Sequence, residues 1–373
     1  MKFTHIRKSG CHFFQFSAIF TLSAVSFSVN AAGWSIQAAG DLTRASAINN
    51  SGQIVGGSRD IAGHERAATY LNGQTVGLGA IYDGPGSQAY GVNNNGEIVG
   101  SSTVGYLDTN AAFSTYAPNQ VSLLNVDASP SIAYAVNDGG NIVGRSLGFY
   151  GSSQAFLYVG GSATNLGTLG SGLYSEARAI NNHDQVVGSS EITDDGSYIS
   201  HAFLYDQGQM HDLGTLGGTD GIAYDVNDQG QIVGSSTLGN GLQHAFLYQN
   251  GSMVDLFAGD SFRSAANGIN ADGDVIGTFG AQNHSFLYRN GAATDLDLLS
   301  EVINAGWSDL AVADINDAGE IVGTGLYNGQ SRGFVLSAAA IAAIPEPQTY
   351  ALMLAGLAAV CAAARRRAKT RQR

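Results

Sequence analysis

The stretch Ala223-Tyr224-Asp225-Val226-Asn227-Asp228-Gln229-Gly230-Gln231-Ile232-Val233-Gly234 reads as two short strands around a tight reversal. Residues alternate in character up to Val226, and Gln231 to Ser235 returns rich in β-branched side chains. Asn bonds readily to its own backbone and Gly takes positive φ, so Asn227-Asp228-Gln229-Gly230 predicts a hairpin. Downstream, His244-Ala245-Phe246-Leu247-Tyr248 predicts a third strand and Met253 to Leu256 a fourth, across the turn Gln249-Asn250-Gly251. Four short strands joined by tight turns make one antiparallel sheet.

The same block occurs seven times, with leading asparagines at Asn49, Asn93, Asn137, Asn181, Asn227, Asn270 and Asn316 and closing glycines at Gly56, Gly100, Gly144, Gly188, Gly234, Gly277 and Gly323. A regular period over the whole central chain marks a repeat architecture. One such sheet cannot cover both of its faces, whereas copies stacked around an axis cover one another. The fold class expected is therefore all-β, a seven-bladed β-propeller of four-stranded antiparallel blades. The seventh copy reaches only its third strand, Gly333 to Leu336, and the missing strand is supplied by Trp34-Ser35-Ile36-Gln37, with Asp41-Leu42 behind it. That closure leaves no open sheet edge. A β-solenoid with two coils per repeat is the alternative, and it would leave the last copy uncapped. The repeat-end glycines are expected to let neighbouring sheets approach closely. No stretch between Ala32 and Ser337 carries helical periodicity.

Both cysteines, Cys11 and Cys361, lie near the chain ends, so the repeat region cannot rely on disulfides. Between Ser9 and Ala364, eight arginines and no lysine stand against all 30 acidic residues, an excess of 22 negative charges. Such a surface repels phosphate backbones and anionic lipid headgroups, which argues against nucleic acid as a partner.

The ends carry addresses. Lys2, Arg7 and Lys8 precede an uncharged apolar run from Phe13 to Val29, the pattern of a signal helix spanning residues 1–31 and cut after Ala31. A retained membrane anchor is the alternative. The repeat region then covers 32–337. A linker over 338–349 contains Pro345-Glu346-Pro347, and an apolar segment at 350–364 predicts a transmembrane helix. The basic tail 365–373, with Arg365, Arg366 and Arg367, holds that helix's far end in the cytoplasm. The order of box, apolar helix and arginine cluster resembles the PEP-CTERM sorting signal. That resemblance implies an exosortase as processing partner, Pro345, Glu346 and Pro347 as recognition box, and the three arginines as retention cluster. Gln348 departs from the small residue usual there. Transit through the inner membrane and delivery to the cell surface or extracellular space follow. The His-Ala-Phe triplets and the Asp-Leu-Gly-Thr-Leu-Gly string at Asp212–Gly217 resemble the HAF repeats of bacterial extracellular proteins, a family that brings no activity with it.

His201, His244 and His284 recur once per repeat. Metal ligands must converge within a few ångströms, whereas equivalent residues of successive blades are spread around a ring, so these are expected to be structural. His64, His183 and His211 read as surface groups. The runs beginning at Asp225, Asn270 and Asp314 have the alternating oxygens of a calcium loop but lack its distal Glu, and turn chemistry suffices for them. No metal site, cofactor or catalytic residue is assigned: there is no Gly-x-Ser-x-Gly elbow, no cysteine nucleophile and no His-Glu-x-x-His in the repeat region. The function expected is non-catalytic, a binding or structural module that meets extracellular polysaccharide or a surface protein through loop aromatics Tyr106, Phe149, Tyr150, Tyr174 and Tyr198. The competing reading, a polysaccharide hydrolase or lyase on the same ring, requires two carboxylates about 5 to 10 Å apart at one mouth.

Overall fold

A computed structural model describes residues 33–338, apart from 82–83, 85, 105–108, 119, 127–129, 148–151 and 194–198. The signal segment with Ala31, the box Pro345, Glu346 and Pro347, the apolar tail, Arg365, Arg366 and Arg367, and the aromatics Tyr106, Phe149, Tyr150 and Tyr198 all lie outside the described residues. Among those described, no helix is long and apolar enough to cross a membrane.

The described residues form seven four-stranded antiparallel sheets. The fifth shows the plan: an inner strand Gly217–Val226, then Ile232–Leu238, Gln243–Gln249 and an outer strand Ser252–Asp255. Six blades are contiguous in sequence. The seventh, Trp307–Ile315, Glu320–Tyr327 and Gln330–Ala338, is completed by Trp34–Ala38, with Trp34 opposite Ala338 and Ala38 opposite Phe334. Leu42 is fully buried behind that strand, and its carbonyl accepts the N–H of Gly333 at 2.8 Å. The ring is thus closed by the first strand of the chain, as the unfinished seventh copy requires, and the solenoid alternative falls.

Blades are glued face to face. Val233 and Ala245 of the fifth pack with Ala266, Ile269, Val275 and Phe286 of the sixth, and comparable buried clusters fill the other seams. The phenylalanine of the third strand, Phe113, Phe156, Phe203, Phe246, Phe286 or Phe334, is essentially sealed from water in six of the blades. Each such burial contributes roughly 1.5–3 kcal/mol.

The leading asparagine of each repeat does more than turn its own hairpin. Asn227 Oδ1 accepts the N–H groups of Gln229 and Gln231, while its Nδ2 donates 3.0 Å to the carbonyl of Asn270 in the next blade. The same donation runs from Asn49 to Asn93, Asn93 to Asn137, Asn137 to Asn181, Asn181 to Asn227, Asn270 to Asn316 and finally Asn316 back to Asn49 at 3.2 Å. Seven buried carboxamides therefore form one closed, unidirectional circle of hydrogen bonds.

Two expectations need correction. The repeat-end glycines relieve crowding within a sheet, not between sheets: a Cβ on Gly234 would overlap the carbonyl of Ile222 in its own inner strand and approach the Phe246 ring to 2.9 Å. Ser300–Asn304 forms a single helical turn that buries Val302, too short to leave a periodic signature in sequence.

Candidate functional site

Opposite each of those glycines the inner strand carries a β-bulge, with the register shifting between Ala45 and Ala47, Ala89 and Gly91, Ala133 and Ala135, Ala177 and Ala179, Ala223 and Asp225, Ala266 and Gly268, and Val312 and Asp314. A bulge leaves one residue unpaired and re-aims its side chain. The unpaired residues are Ser46, Tyr90, Tyr134, Arg178, Tyr224, Asn267 and Ala313, and all seven line the axis of the ring. Glycine permits the bulge, and the bulge turns a chosen side chain into the channel. Strand and turn positions repeat from blade to blade, but this column does not.

The channel widens into a cavity of about 550 Å³. The Arg178 guanidinium lies 4.9 Å from the Tyr134 ring centre and 6.0 Å from that of Tyr224, and Arg44 lies 5.8 Å from Tyr90. Tyr90 meets Tyr134 edge-on at 5.7 Å and donates its hydroxyl to Gln88 Oε1 at 2.9 Å. Arg44 Nη2 donates to the same Gln88 oxygen. Glu176 bridges two guanidiniums, Arg178 and, at 3.5 Å, Arg145. Arg44 Nε is buried and has no partner among the described residues. Burial first, then the charge of Glu176, pushes the Tyr134 hydroxyl above its ordinary range.

Deeper along the axis stand Asp225 and Asp314, where the other blades carry Ala or Gly. Each reaches across a seam: Asp225 Oδ2 accepts the N–H of Ile269 at 2.8 Å, and Asp314 Oδ2 that of Ile48 at 2.9 Å. Their second oxygens accept Val226 and Ile315 N–H groups. Enclosure by protein pushes Asp225 up to about 6 and Asp314 up to about 7, the charge of Asp225 adding to the latter, and the backbone donors only partly offset this. At the far mouth a second circle of side chains caps the next backbone N–H, as where Asn94 Oδ1 accepts from Asn50 and Asp317 Oδ1 from Ala271. It is interrupted at Ala271, which has no side-chain acceptor to offer Asp228.

Other sequence candidates fall elsewhere. His201, His244 and His284 each pair through Nδ1 with the aspartate eleven residues on, Asp212, Asp255 and Asp295, at 2.8 to 2.9 Å. These pairs tie the third strand to the fourth and explain why the His-Ala-Phe and Asp-Leu motifs travel together. The calcium-like run at Asn270 is turned on itself: Asn270 Oδ1 accepts from Asp272 and Asp274, and Asp274 is held by Arg289 at 2.8 Å. Among the described residues no three His, Cys, Asp or Glu side chains are grouped to hold a metal ion. Tyr174 is 40 % exposed and is not among the channel-lining residues. Sequence reading missed Arg44, Tyr90, Tyr134, Arg178 and Tyr224. For the last four the signal was the column three residues before each repeat asparagine, where an otherwise regular block changes from copy to copy; Arg44, two residues before that column, carried no such signal.

The model of a family described as proteins of unknown function, DUF3466, matches residues 80–278, more than half of the chain. The chain belongs to that family. A PEP-CTERM protein-sorting motif matches residues 343–367, which include the Pro345–Pro347 box and the three arginines. The PEP-CTERM motif implies export, a membrane-anchored transit state and processing by an exosortase on the way to the surface. No curated protein matches. Among solved structures, the β-propeller domain of the Trilobed protease from Pyrococcus furiosus, described as having an open velcro topology, is 8% identical with TM-score 0.52, covering 78% of this chain and 94% of that one. YCF48 bound to D1 peptide is 10% identical with TM-score 0.51, covering 86% and 99%. A puromycin-hydrolysing peptidase from Mycobacterium tuberculosis is 11% identical with TM-score 0.53, covering 77% of this chain but only half of the peptidase. At these identities the likeness is one of fold alone.

Proposed function

We propose that this DUF3466 member is a non-catalytic ligand-binding module of HAF-type repeats, displayed at the cell surface, whose central channel takes an extracellular ligand. In this reading residues 1–31 are a cleaved signal peptide, 350–364 span the inner membrane before processing, and Pro345, Glu346 and Pro347 are read by the exosortase. One observation carries the binding role: the repeat is broken at the column that the bulges turn into the channel, and there it is filled with tyrosine and arginine. Aromatic walls and a few convergent polar groups in a cavity of this size are what small-ligand sites are made of. The site thereby moves from the ring-face loops to the axis. Against catalysis by a tyrosine base, the Tyr134 hydroxyl is shifted away from the acidity such a base needs.

The test is retention of the full chain on purified matrix polysaccharide, with Tyr224→Ala as the channel variant, together with display of a tagged chain carrying Pro345→Ala, Glu346→Ala and Pro347→Ala. Binding lost in the first and display lost in the second are expected. A Tyr224→Ala chain that binds as well as the parent refutes the channel role, and unchanged display refutes the sorting role. A hydrolase or lyase reading draws on Asp225 and Asp314, two channel carboxyls with raised proton affinity. It requires turnover of a polysaccharide that Asp225→Asn or Asp314→Asn abolishes.

A further inference from the structure

Resting on that channel-binding reading, we infer that the ligand is a carboxylate-bearing sugar, a uronate unit of an acidic glycan, held at its carboxylate by Arg44 and Arg178 and along its ring by Tyr90, Tyr134 and Tyr224. The argument begins with where the few positive charges are. The segment between Ser9 and Ala364 has eight arginines and no lysine. Two line this one cavity and Arg145 shares Glu176 with Arg178, while the carboxyls that line the cavity, Asp225 and Asp314, already accept two backbone N–H groups each. Three of the eight arginines of a strongly acidic segment are thus gathered at one channel.

The guanidiniums are also presented in the right way. Each lies over a tyrosine ring, so its N–H edge rather than its face remains for a ligand, and that planar edge matches a carboxylate. The buried Nε–H of Arg44 lacks an acceptor, which a ligand oxygen would supply. A buried donor left without a partner costs about 1–3 kcal/mol. Glu176 already shows a carboxylate seated on Arg178.

The rest of the cavity selects a sugar over other anions. Three tyrosines offer flat apolar walls for the C–H faces of a ring. Asn267, Asp225 and Asp314 make a floor that accepts hydrogen bonds, which suits a ring rich in hydroxyl donors. A phosphate, with no donors and up to two charges, would meet that floor unfavourably. The volume of about 550 Å³ holds a ligand of a few rings and no folded partner.

Calorimetric titration of the full-length chain, purified in mild detergent, tests this with trigalacturonate, trimannuronate, the methyl esters of both, and hexaglutamate. One of the acids is expected to bind roughly tenfold more tightly than its ester, the size of a charge-assisted contact. Arg44→Gln and Arg178→Gln should each bring the acid down to the level of the ester while leaving the ester unchanged. Arg178→Lys, which keeps the charge and loses the fork, should fall between, and Arg263→Gln, at an exposed site outside the channel, should change nothing. Tyr224→Ala should weaken acid and ester alike. Acid and ester binding equally, both sensitive to Tyr224→Ala, overturns the ligand class and leaves the channel reading standing. Hexaglutamate binding more tightly than either acid overturns the sugar in favour of an acidic peptide. No binding of any probe at millimolar concentration by chains with unchanged melting temperature overturns the inference. Binding indifferent to every channel variant overturns the inference and the channel reading together.

Discussion

Asn227 holds its own turn with its oxygen and the neighbouring blade with its nitrogen, so a single side chain is shared by two levels of structure. Removing it takes the acceptor from two part-buried N–H groups and one of the two donors from the Asn270 carbonyl. Asn227→Ala should cost about 2–3 kcal/mol, more than a turn residue alone is worth, and the midpoint of urea unfolding measures it; a loss under about 0.5 kcal/mol would show that the circle contributes nothing. The channel aspartates give a second expectation. Asp225 and Asp314 bind a proton more tightly in the folded chain than at their ordinary value of 3.8. Between about pH 4 and pH 7 the native state therefore holds more protons than the unfolded one, and stability must fall as pH rises through about 6 to 7. Asp297, pushed up by burial, acts in the same direction. Asp60, lowered to about 2 chiefly by its bond with Arg66, acts oppositely but only in stronger acid. Melting temperature should thus drop by a few degrees from pH 5 to pH 8, and Asp225→Asn with Asp314→Asn should flatten that slope whatever it does to the midpoint. A slope unaltered by the double change would place the titrating groups elsewhere.

At the level of the strand, the closing glycine and the bulge are one device. Gly234→Ala forces a methyl against the Ile222 carbonyl and the Phe246 ring, so it should cost about 3 kcal/mol or more and disturb Tyr224 along with the fold. Gly251→Ala, at φ 77 with nothing within 4 Å of the added carbon, should cost only about 1–2 kcal/mol of backbone strain. Equal losses in the two variants would contradict the steric account. Hairpins and strands were legible in sequence because Asn-x-x-Gly and alternating side chains are local signals. The bulges were not, since one extra residue hides inside an alternating pattern, and the channel residues were missed for that reason. The His244–Asp255 tie was half legible: both motifs recur, but only a sheet register shows that they face each other.

Across the whole molecule, the ring and its manner of closure could be read from the count of copies and the incomplete last one, because face burial leaves a four-stranded sheet few other solutions. The seam contacts could not, as each joins residues some 44 positions apart. Deleting Trp34–Ala38 should bare the backbone of Gln330–Ala338 along one edge. Hydrogen exchange is expected to show that strand losing protection first and the chain tending to associate; protection equal to the parent's would mean that the first strand does not seal the ring. The sealing contact, illustrated by Ser35 Oγ and Ser337 Oγ at 3.1 Å, spans 302 positions. Bringing such distant partners together costs on the order of 5 kcal/mol of chain entropy, and the earlier partner must wait for the later one to be synthesised. Completion of the native state is therefore tied to the end of translocation: a nascent chain stalled before Gln330 has six finished sheets and an unmet first strand, and it remains open to proteases and chaperones until the final segment arrives.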